Sequence, residues 1–327
     1  MKLYLKIEWK EVKCMPRLKR KKSRKLKPIA KILIVVLLVI LGCLTFYYVQ
    51  YYQALHSVNA DFTSAKGEDF KSTKDPKLDD FNVLLVGSDS RGSDQGRSDS
   101  ILLLHYDSKA KKPKVISFMR DSYVEIPNRG KQKLNAAYSY GGIELLRETI
   151  QQNFDIKMDY YLMTDFSGFA KIIDTAFPDG VTITAGKEMS KNIGMTIYPG
   201  KQQMDGKTLL AYSRFRYDAQ SDFGRVKRQQ QVVQSVMKQS VSDISITKIP
   251  SLLGLVQGNI STNIPTKLLV NMGQEMYFHP PTGLDSLTVP TNGSYEDKTY
   301  PGAGAVLELD LDKNQAAIKK FLNDDKS

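Results

Sequence analysis

Arginines and aspartates gather in four short stretches of this 327-residue chain. The first, VGSDSRGSDQGRSDS (Val86–Ser100), sets Arg91 and Arg97 among Asp89, Asp94 and Asp99, between the apolar runs FNVLLV and ILLLHY. The others are FMRD with Arg120 and Asp121, SRFR with Arg214 and Arg216, and GRVKRQ with Arg225, Arg228 and Gln229. A guanidinium pairs bidentately with phosphate and keeps its charge near neutrality, so several converging arginines make a diphosphate clamp rather than an acid/base device. Carboxylates without histidine or thiolate suit a hard cation such as Mg2+. Asp89 and Asp99 flank a Gly-rich loop at the ends of consecutive strands, where two ligands could meet across one metal that bridges phosphate oxygens.

Spacing limits how these groups can cooperate. Arg214 and Arg216 are two apart, which in a helix separates them by about 200° but in extended chain puts them on one face. If both serve one site, the helix before them must end close by. Arg225, Arg228 and Gln229 stand at i, i+3 and i+4, so one helix face carries two guanidinium forks and an amide. Against this stands a plainer reading, because arginines in any single segment are commonly surface ion pairs. The Gly-rich loop alone is a weak signal and lacks the G-K-[ST] of a P-loop. No G-x-S-x-G or H-E-x-x-H occurs, and the three histidines, His56, His105 and His279, are scattered, so a serine triad or zinc hydrolase is unsupported. His105, inside ILLLHYD, reads as a core or strand histidine.

The elements that would position these residues alternate in type. FNVLLVG reads as a buried strand, and SILLLHYD with KVISFMRD as a hairpin. KLNAAYSYGG reads as a loop before a helix starting near Gly142, YYLM as a strand, and DFSGFAKIIDTAF as an amphipathic helix capped by Asp165. GVTIT continues as strand, DGKTLLAY and GRVKRQQQVVQSVMKQ as helices, and Ile246–Gln257 and Thr266–Met276 as further apolar helices. SLTVP is expected as a last strand and NQAAIKKFLND as a last helix. Strands interleaved with helices over this length predict a single α/β/α domain around a central mixed sheet.

The net charge of +12 belongs to a tail, since residues 1–31 hold 13 of the 47 Lys and Arg and only two acids, Glu8 and Glu11. That stretch runs into Ile32–Val49, free of charge and about 27 Å long as a helix, which is enough to cross a bilayer. Tyr47, Tyr48, Tyr51 and Tyr52 mark an interfacial belt at its far end, and the basic excess places the near side in the cytoplasm. Bulky FYYVQYY follows where a signal peptide would carry small residues, so an uncleaved anchor is expected. The basic cluster is explained by topology and anionic lipid, and nucleic acid is not expected as a partner. The only cysteines, Cys14 and Cys43, lie in the tail and the apolar run, so the exported part folds without disulfides. The resulting organisation is a basic cytoplasmic tail (1–31), a transmembrane signal-anchor (32–52), a polar linker (53–80) and an extracellular catalytic domain (81–327).

Six ordered motifs, NVLLVGSDSR, GRSDSILLLHYD, SFMRDSYVEIP, KLNAAYSYGG, DYYLMTDFSGF and DGKTLLAYSRFRY followed by DFGRVKRQQQ, make the stretch from Phe81 to Gln239 resemble the LytR-CpsA-Psr family of bacterial cell-envelope proteins. The resemblance implies a membrane-anchored phosphotransferase that moves an anionic glycopolymer, of wall teichoic acid or capsule type, from a polyprenyl-pyrophosphate carrier onto peptidoglycan. It implies Asp89 and Asp99 as Mg2+ ligands, Arg97, Arg120, Arg214 and Arg216 as the pyrophosphate clamp, and Arg225 and Gln229 as added contacts. Asp121 would orient a clamp arginine or assist the acceptor hydroxyl, and Arg91 would touch substrate or order its loop. Met119 stands where the family has proline, a change that removes no charge. The apolar helices after Asp159 would line a tunnel for the lipid tail or simply form core. The rival reading, a membrane-associated transcriptional regulator affecting the envelope, draws only on the basic tail.

Overall fold

A computed structural model describes residues 28–56, 80–88, 98–107, 112–243, 246–281 and 283–324. Asp89, Arg91, Asp94 and Arg97 therefore lie outside the described residues, as do most of the basic tail and of the expected linker. The chain divides into two compact units, Met1–Thr45 and Phe46–Ser327.

In chain order the helices are α1 (Pro28–His56), α2 (Leu134–Phe154), α3 (Phe166–Ala176), α4 (Gly206–Arg214), α5 (Ser221–Asp243), α6 (Ile249–Asn259), α7 (Thr266–Phe278) and α8 (Leu311–Asn323). The strands are β1 (Phe81–Ser88), β2 (Ser98–Tyr106), β3 (Lys114–Phe118), β4 (Ser122–Ile126), β5 (Gly130–Lys133), β6 (Tyr160–Asp165), β7 (Val181–Ala185), β8 (Gly200–Met204), β9 (Ile260–Thr262), β10 (Asp285–Val289), β11 (Tyr295–Tyr300) and β12 (Gly304–Leu309).

Within the first unit the described part of α1 exposes Leu37, Leu38, Val39 and Leu41, each about half or more accessible. The stretch Val36–His56 is long and apolar enough to cross a membrane. Gln53–His56, which composition assigns to the linker, continue the helix. In the second unit the last turns of α1 lie on α6: Tyr51 Oη donates to Gln257, and Ser251 Oγ donates to Gln50 Oε1 at 3.2 Å. A Cβ on Gly254 would sit 2.4 Å from the Tyr51 carbonyl oxygen, so only glycine permits this approach.

The second unit is built on a six-stranded mixed sheet in the order β10-β3-β2-β1-β6-β9. β1, β2 and β3 run antiparallel in succession, while β6 is parallel to β1 and β10 parallel to β3. Alternation along the strands loads both faces. Leu84, Val86, Ile101, Leu103 and Ile116 turn to one side and bury against α2. Leu85, Leu102 and Leu104 turn to the other, toward α5 and α7. Helices on both faces make the mixed-sheet α/β/α architecture expected from the sequence.

Two features are additional to that expectation. Lys133 ends β5, and LNAAYSYGG after it is the first part of α2 rather than a loop, because Leu and Ala there favour helix, and only Gly141 and Gly142 leave helical geometry, Gly142 at φ 64°. A second sheet, in the order β11-β12-β4-β5, is built from short polar-edged strands whose alternation is too brief to register by pattern.

Candidate functional site

The carboxyl ends of β1, β3 and β6 share one edge of the central sheet. β2 starts there, since Ser88 pairs with Ser98 and Phe118 with Ile101. Asp99, second in β2, thereby meets Arg120, which with Asp121 follows β3 after Met119. Such an edge is where open α/β sheets bind ligands. The remaining groups arrive from helices. Arg214 is the last residue of α4, whose first turn is capped by Asp205 accepting from Thr208 N at 2.7 Å. Phe215 then turns extended, with φ −60° and ψ 135°, so the helix ends where the paired arginines required it. α5 begins at Ser221 and brings Arg225 and Gln229 in one turn apart.

Three guanidiniums converge on one carboxylate oxygen. Asp99 Oδ1 lies 2.8 Å from Arg120 Nη1, 3.5 Å from Arg216 Nη2 and 3.9 Å from Arg225 Nη1. Asp222 opposes them from α5, 2.7 Å from Arg225 Nη2, 3.8 Å from Arg120 Nε and 3.9 Å from Arg216 Nε. Asp121 is held by Lys133 Nζ at 2.9 Å and by Arg120 Nε at 3.5 Å. Gln229 Nε2 donates to Ser100 Oγ at 2.7 Å, tying α5 to β2. Among the described residues Arg214 joins none of these ion pairs; its guanidinium stacks 4.2 Å from the Phe166 ring centre, at the start of α3.

The cluster is arranged to receive an anion. Burial pulls the pKa of Arg225 down to about 10, Arg120 and Arg216 add to the fall, and Asp222 and Asp99 oppose it. For Arg120, burial also works against the charge, but Asp222, Asp121 and Asp99 together outweigh it and the pKa is raised. Both therefore remain cationic at neutral pH. Arg225 Nε and Nη1 and Arg120 Nε are buried without a hydrogen-bond acceptor among the described residues. Buried donors left in this state call for a ligand with acceptor oxygens.

Behind the cluster lies a cavity of about 210 Å³ whose rim includes Asp99, Arg214, Arg216, Arg225 and Gln229 and whose depth is Leu85, Phe169, Val232 and Val233. Those same four apolar residues also line a second cavity of about 300 Å³, continued by Leu104, Val236, Met237 and Met272. The site is thus polar at its mouth and oily along its length.

Of the residues singled out by sequence, the structure brings Asp99, Arg120, Asp121, Arg216 and Arg225 into one ion-pair cluster, with Arg214 and Gln229 on the same rim. Arg228, sharing a helix face with Arg225 by spacing, turns instead to Asp218 and Phe215. Asp222, Lys133 and Phe166 escaped the sequence reading. Asp222 had a signal, its i, i+3 spacing to Arg225, whereas Lys133 and Phe166 depend on packing that no local pattern announces.

Known proteins place this arrangement in context. Residues 45–320 match the family model described as the LytR_cpsA_psr family. The regulatory protein MsrR of Staphylococcus aureus strain COL is 41% identical over 281 residues, 83% of this chain and 85% of that protein. The polyisoprenyl-teichoic acid–peptidoglycan teichoic acid transferase TagU of Bacillus cereus strain AH820 is 33% identical over 219 residues, 66% of this chain and 71% of that protein. Among solved structures, TagT bound to LI-WTA superposes with a TM-score of 0.62 at 27% identity, covering 80% of this chain and 95% of that one. A match of this extent, carried by both sequence and fold, makes the chain a member of the LytR_cpsA_psr family.

Proposed function

We propose that the protein transfers an anionic glycopolymer from a polyprenyl-pyrophosphate carrier to peptidoglycan. One observation carries the reading: Arg214, Arg216 and Arg225 line the mouth of an apolar cavity that continues into a second, with Arg120 beside them on Asp99, as a diphosphate head on a long hydrocarbon tail requires. TagU supports it by its name as a teichoic acid transferase. A regulatory reading leans on the name MsrR and on the basic tail, and no observation among the described residues carries it.

In this reading the acceptor sugar hydroxyl attacks the phosphorus that carries the glycopolymer. A new P–O bond forms to the acceptor, the bridging P–O bond of the diphosphate breaks, and polyprenyl monophosphate leaves while a base takes the hydroxyl proton. Arg120, Arg214, Arg216 and Arg225 hold the diphosphate in line and neutralise charge as it shifts to the leaving oxygen. Asp121, fixed by Lys133, keeps Arg120 aimed at Asp99. The oily walls behind the clamp exclude water, which would otherwise compete as acceptor.

The residues present fit Mg2+. The described contacts of Asp99 all fall on Oδ1, which leaves Oδ2 to a cation. Among the described residues no group of three or more His, Cys, Asp or Glu could hold a metal, so the ion would depend on one or two carboxylates and on the substrate's own phosphates. Asp99 and Asp89 would hold it, and bound there it would neutralise diphosphate charge. The apolar helix would anchor the protein with its basic side in the cytoplasm and residues 81–327 outside, where carrier and acceptor both lie.

The test is transfer of labelled polymer from purified polyprenyl-pyrophosphate donor to peptidoglycan by the full chain in detergent. Transfer is expected for the wild type and lost in Asp99→Ala. Chelation should stop it, with Mg2+ both restoring turnover and raising the melting temperature of the donor-bound protein. No transfer by the wild type overturns the reading.

A further inference from the structure

Nothing in YSRFRYDAQSD forces α4 to stop, for no glycine or proline lies between Tyr212 and Asp222. In a continuing helix the Phe215 carbonyl would accept the backbone N–H four residues on, and Arg214 and Arg216 would point about 200° apart. Instead that carbonyl accepts from Arg228 Nη2, a buried side chain on α5. The other arm of the same fork, Nη1, donates to Asp218 Oδ2 at 2.7 Å, and the guanidinium lies 5.2 Å from the Phe215 ring centre.

Asp218 is seated as firmly. Its side chain is 4% exposed and its Oδ2 also takes Lys187 Nζ at 3.1 Å, from the segment that joins β7 to β8. Oδ1 accepts from Gln220 N at 3.0 Å, and the Asp218 carbonyl accepts from Ser221 N at 2.9 Å. A Cβ on Gly224 would lie 2.7 Å from Oδ1, so glycine there lets the carboxylate rest against α5. One guanidinium therefore grips both ends of the segment Phe215–Asp218, and Arg216 lies between the gripped points.

We infer that Arg228 and Asp218 are positioning residues for the diphosphate clamp, latched by Lys187, and that they set the turn at Phe215 which brings Arg214 and Arg216 to one cavity mouth. This rests on the functional reading above. A planar fork with both arms engaged fixes direction as well as distance, which lysine cannot reproduce. Arg225 and Arg228 thus divide one task over a single turn of α5: the first meets the ligand, the second holds the loop that does.

Geranylgeranyl pyrophosphate binding to the full chain in detergent, measured by calorimetry, tests the assignment. Arg228→Lys is expected to weaken binding about 10-fold and Lys187→Met about 3-fold, following the loss of charge-assisted bonds. In the Arg214→Ala/Arg216→Ala background each should weaken it by less than about 2-fold further, because a group acting through absent side chains has nothing left to position. Equal losses in both backgrounds would show a merely structural role and overturn the inference while leaving the functional reading intact. No binding by the wild type would overturn both. Should Arg228→Lys not fold, the half-exposed Lys187 carries the same comparison.

Discussion

Leu103 and Leu104 are neighbours in β2 and face opposite sides of one sheet, into environments that share chemistry but not density. Leu103 sits with Leu84, Ile116, Ile143, Leu146 and Ile150, all fully buried. Leu104 looks onto the cavity of about 300 Å³ beside Met237 and Met272. One face is closed by fully buried side chains, whose packing supplies stability. The other leaves its apolar surface for a ligand to cover. Apolar residues at the right period thus state that a face is hidden, but not whether protein or ligand hides it. Only the arginines at the rim separate the two cases.

The largest expected effect falls in the ion-pair cluster beside that rim. Arg120→Ala should lower polymer transfer by roughly 1,000-fold, in the range seen when one charge-stabilising donor is removed from a transfer site. Arg216, Arg225 and Lys133 remain to balance the carboxylates, so the melting temperature should change little. A fall of less than 10-fold would mean that the rim does not distinguish the hollow face after all.

The faces themselves are compared by truncating each leucine. Leu103→Ala should destabilise the protein by about 2–5 kcal/mol, because it opens a void in a packed interior. Leu104→Ala only enlarges an existing cavity and should cost nearer about 1–2 kcal/mol. Urea denaturation measures both, and equal losses would remove the distinction. Filling is the converse experiment. Val233→Phe, at the junction of the two cavities, should alter stability by less than about 1.5 kcal/mol yet weaken geranylgeranyl pyrophosphate binding about 10-fold, with inorganic pyrophosphate unaffected.

How far the sequence disclosed this follows the same division. The hairpin of β2 and β3 and the Asp165 cap follow from period and capping chemistry, the end of α4 near Arg214 follows only if both arginines serve one site, and the convergence of Asp99, Arg120, Arg216 and Arg225 is implied by the family resemblance. The resemblance offers a tunnel or plain core for the apolar helices, and residue chemistry could not choose between them, since Val232 and Val233 have the same hydrophobicity in either. Nor could Arg228 be separated from Arg225 by a helical-face argument. Their difference lies in the Phe215 carbonyl and Asp218, brought close by a turn with no breaker residue. The second sheet was lost for a humbler reason, that strands such as GKQK carry too few side chains to show a period.

A smaller prediction asks what holds the hollow face where packing is thin. α2, on the filled face, starts at Leu134 with no side-chain cap, and buried contacts suffice. α3 and α4, which carry Phe166, Phe169, Leu210 and Arg214 to the cavity, each start on an aspartate whose carboxylate accepts a backbone N–H, Asp165 from Gly168 and Asp205 from Thr208. The bonds to Thr208 hold the Asp205 pKa below its usual value against a weaker opposing effect of burial. The folded pKa is thus lower than the unfolded one, near about 4. The cap's contribution is then fully present above pH about 4 and is lost as pH falls through the folded value. Asp205→Ala should cost about 0.5–1 kcal/mol between pH 5 and 8, as expected for an exposed cap. Denaturation of both proteins at several pH values should show the gap closing below pH about 4. A gap that persists in acid would assign the loss to something other than the charged cap, and would leave α4 held, like α2, by packing alone.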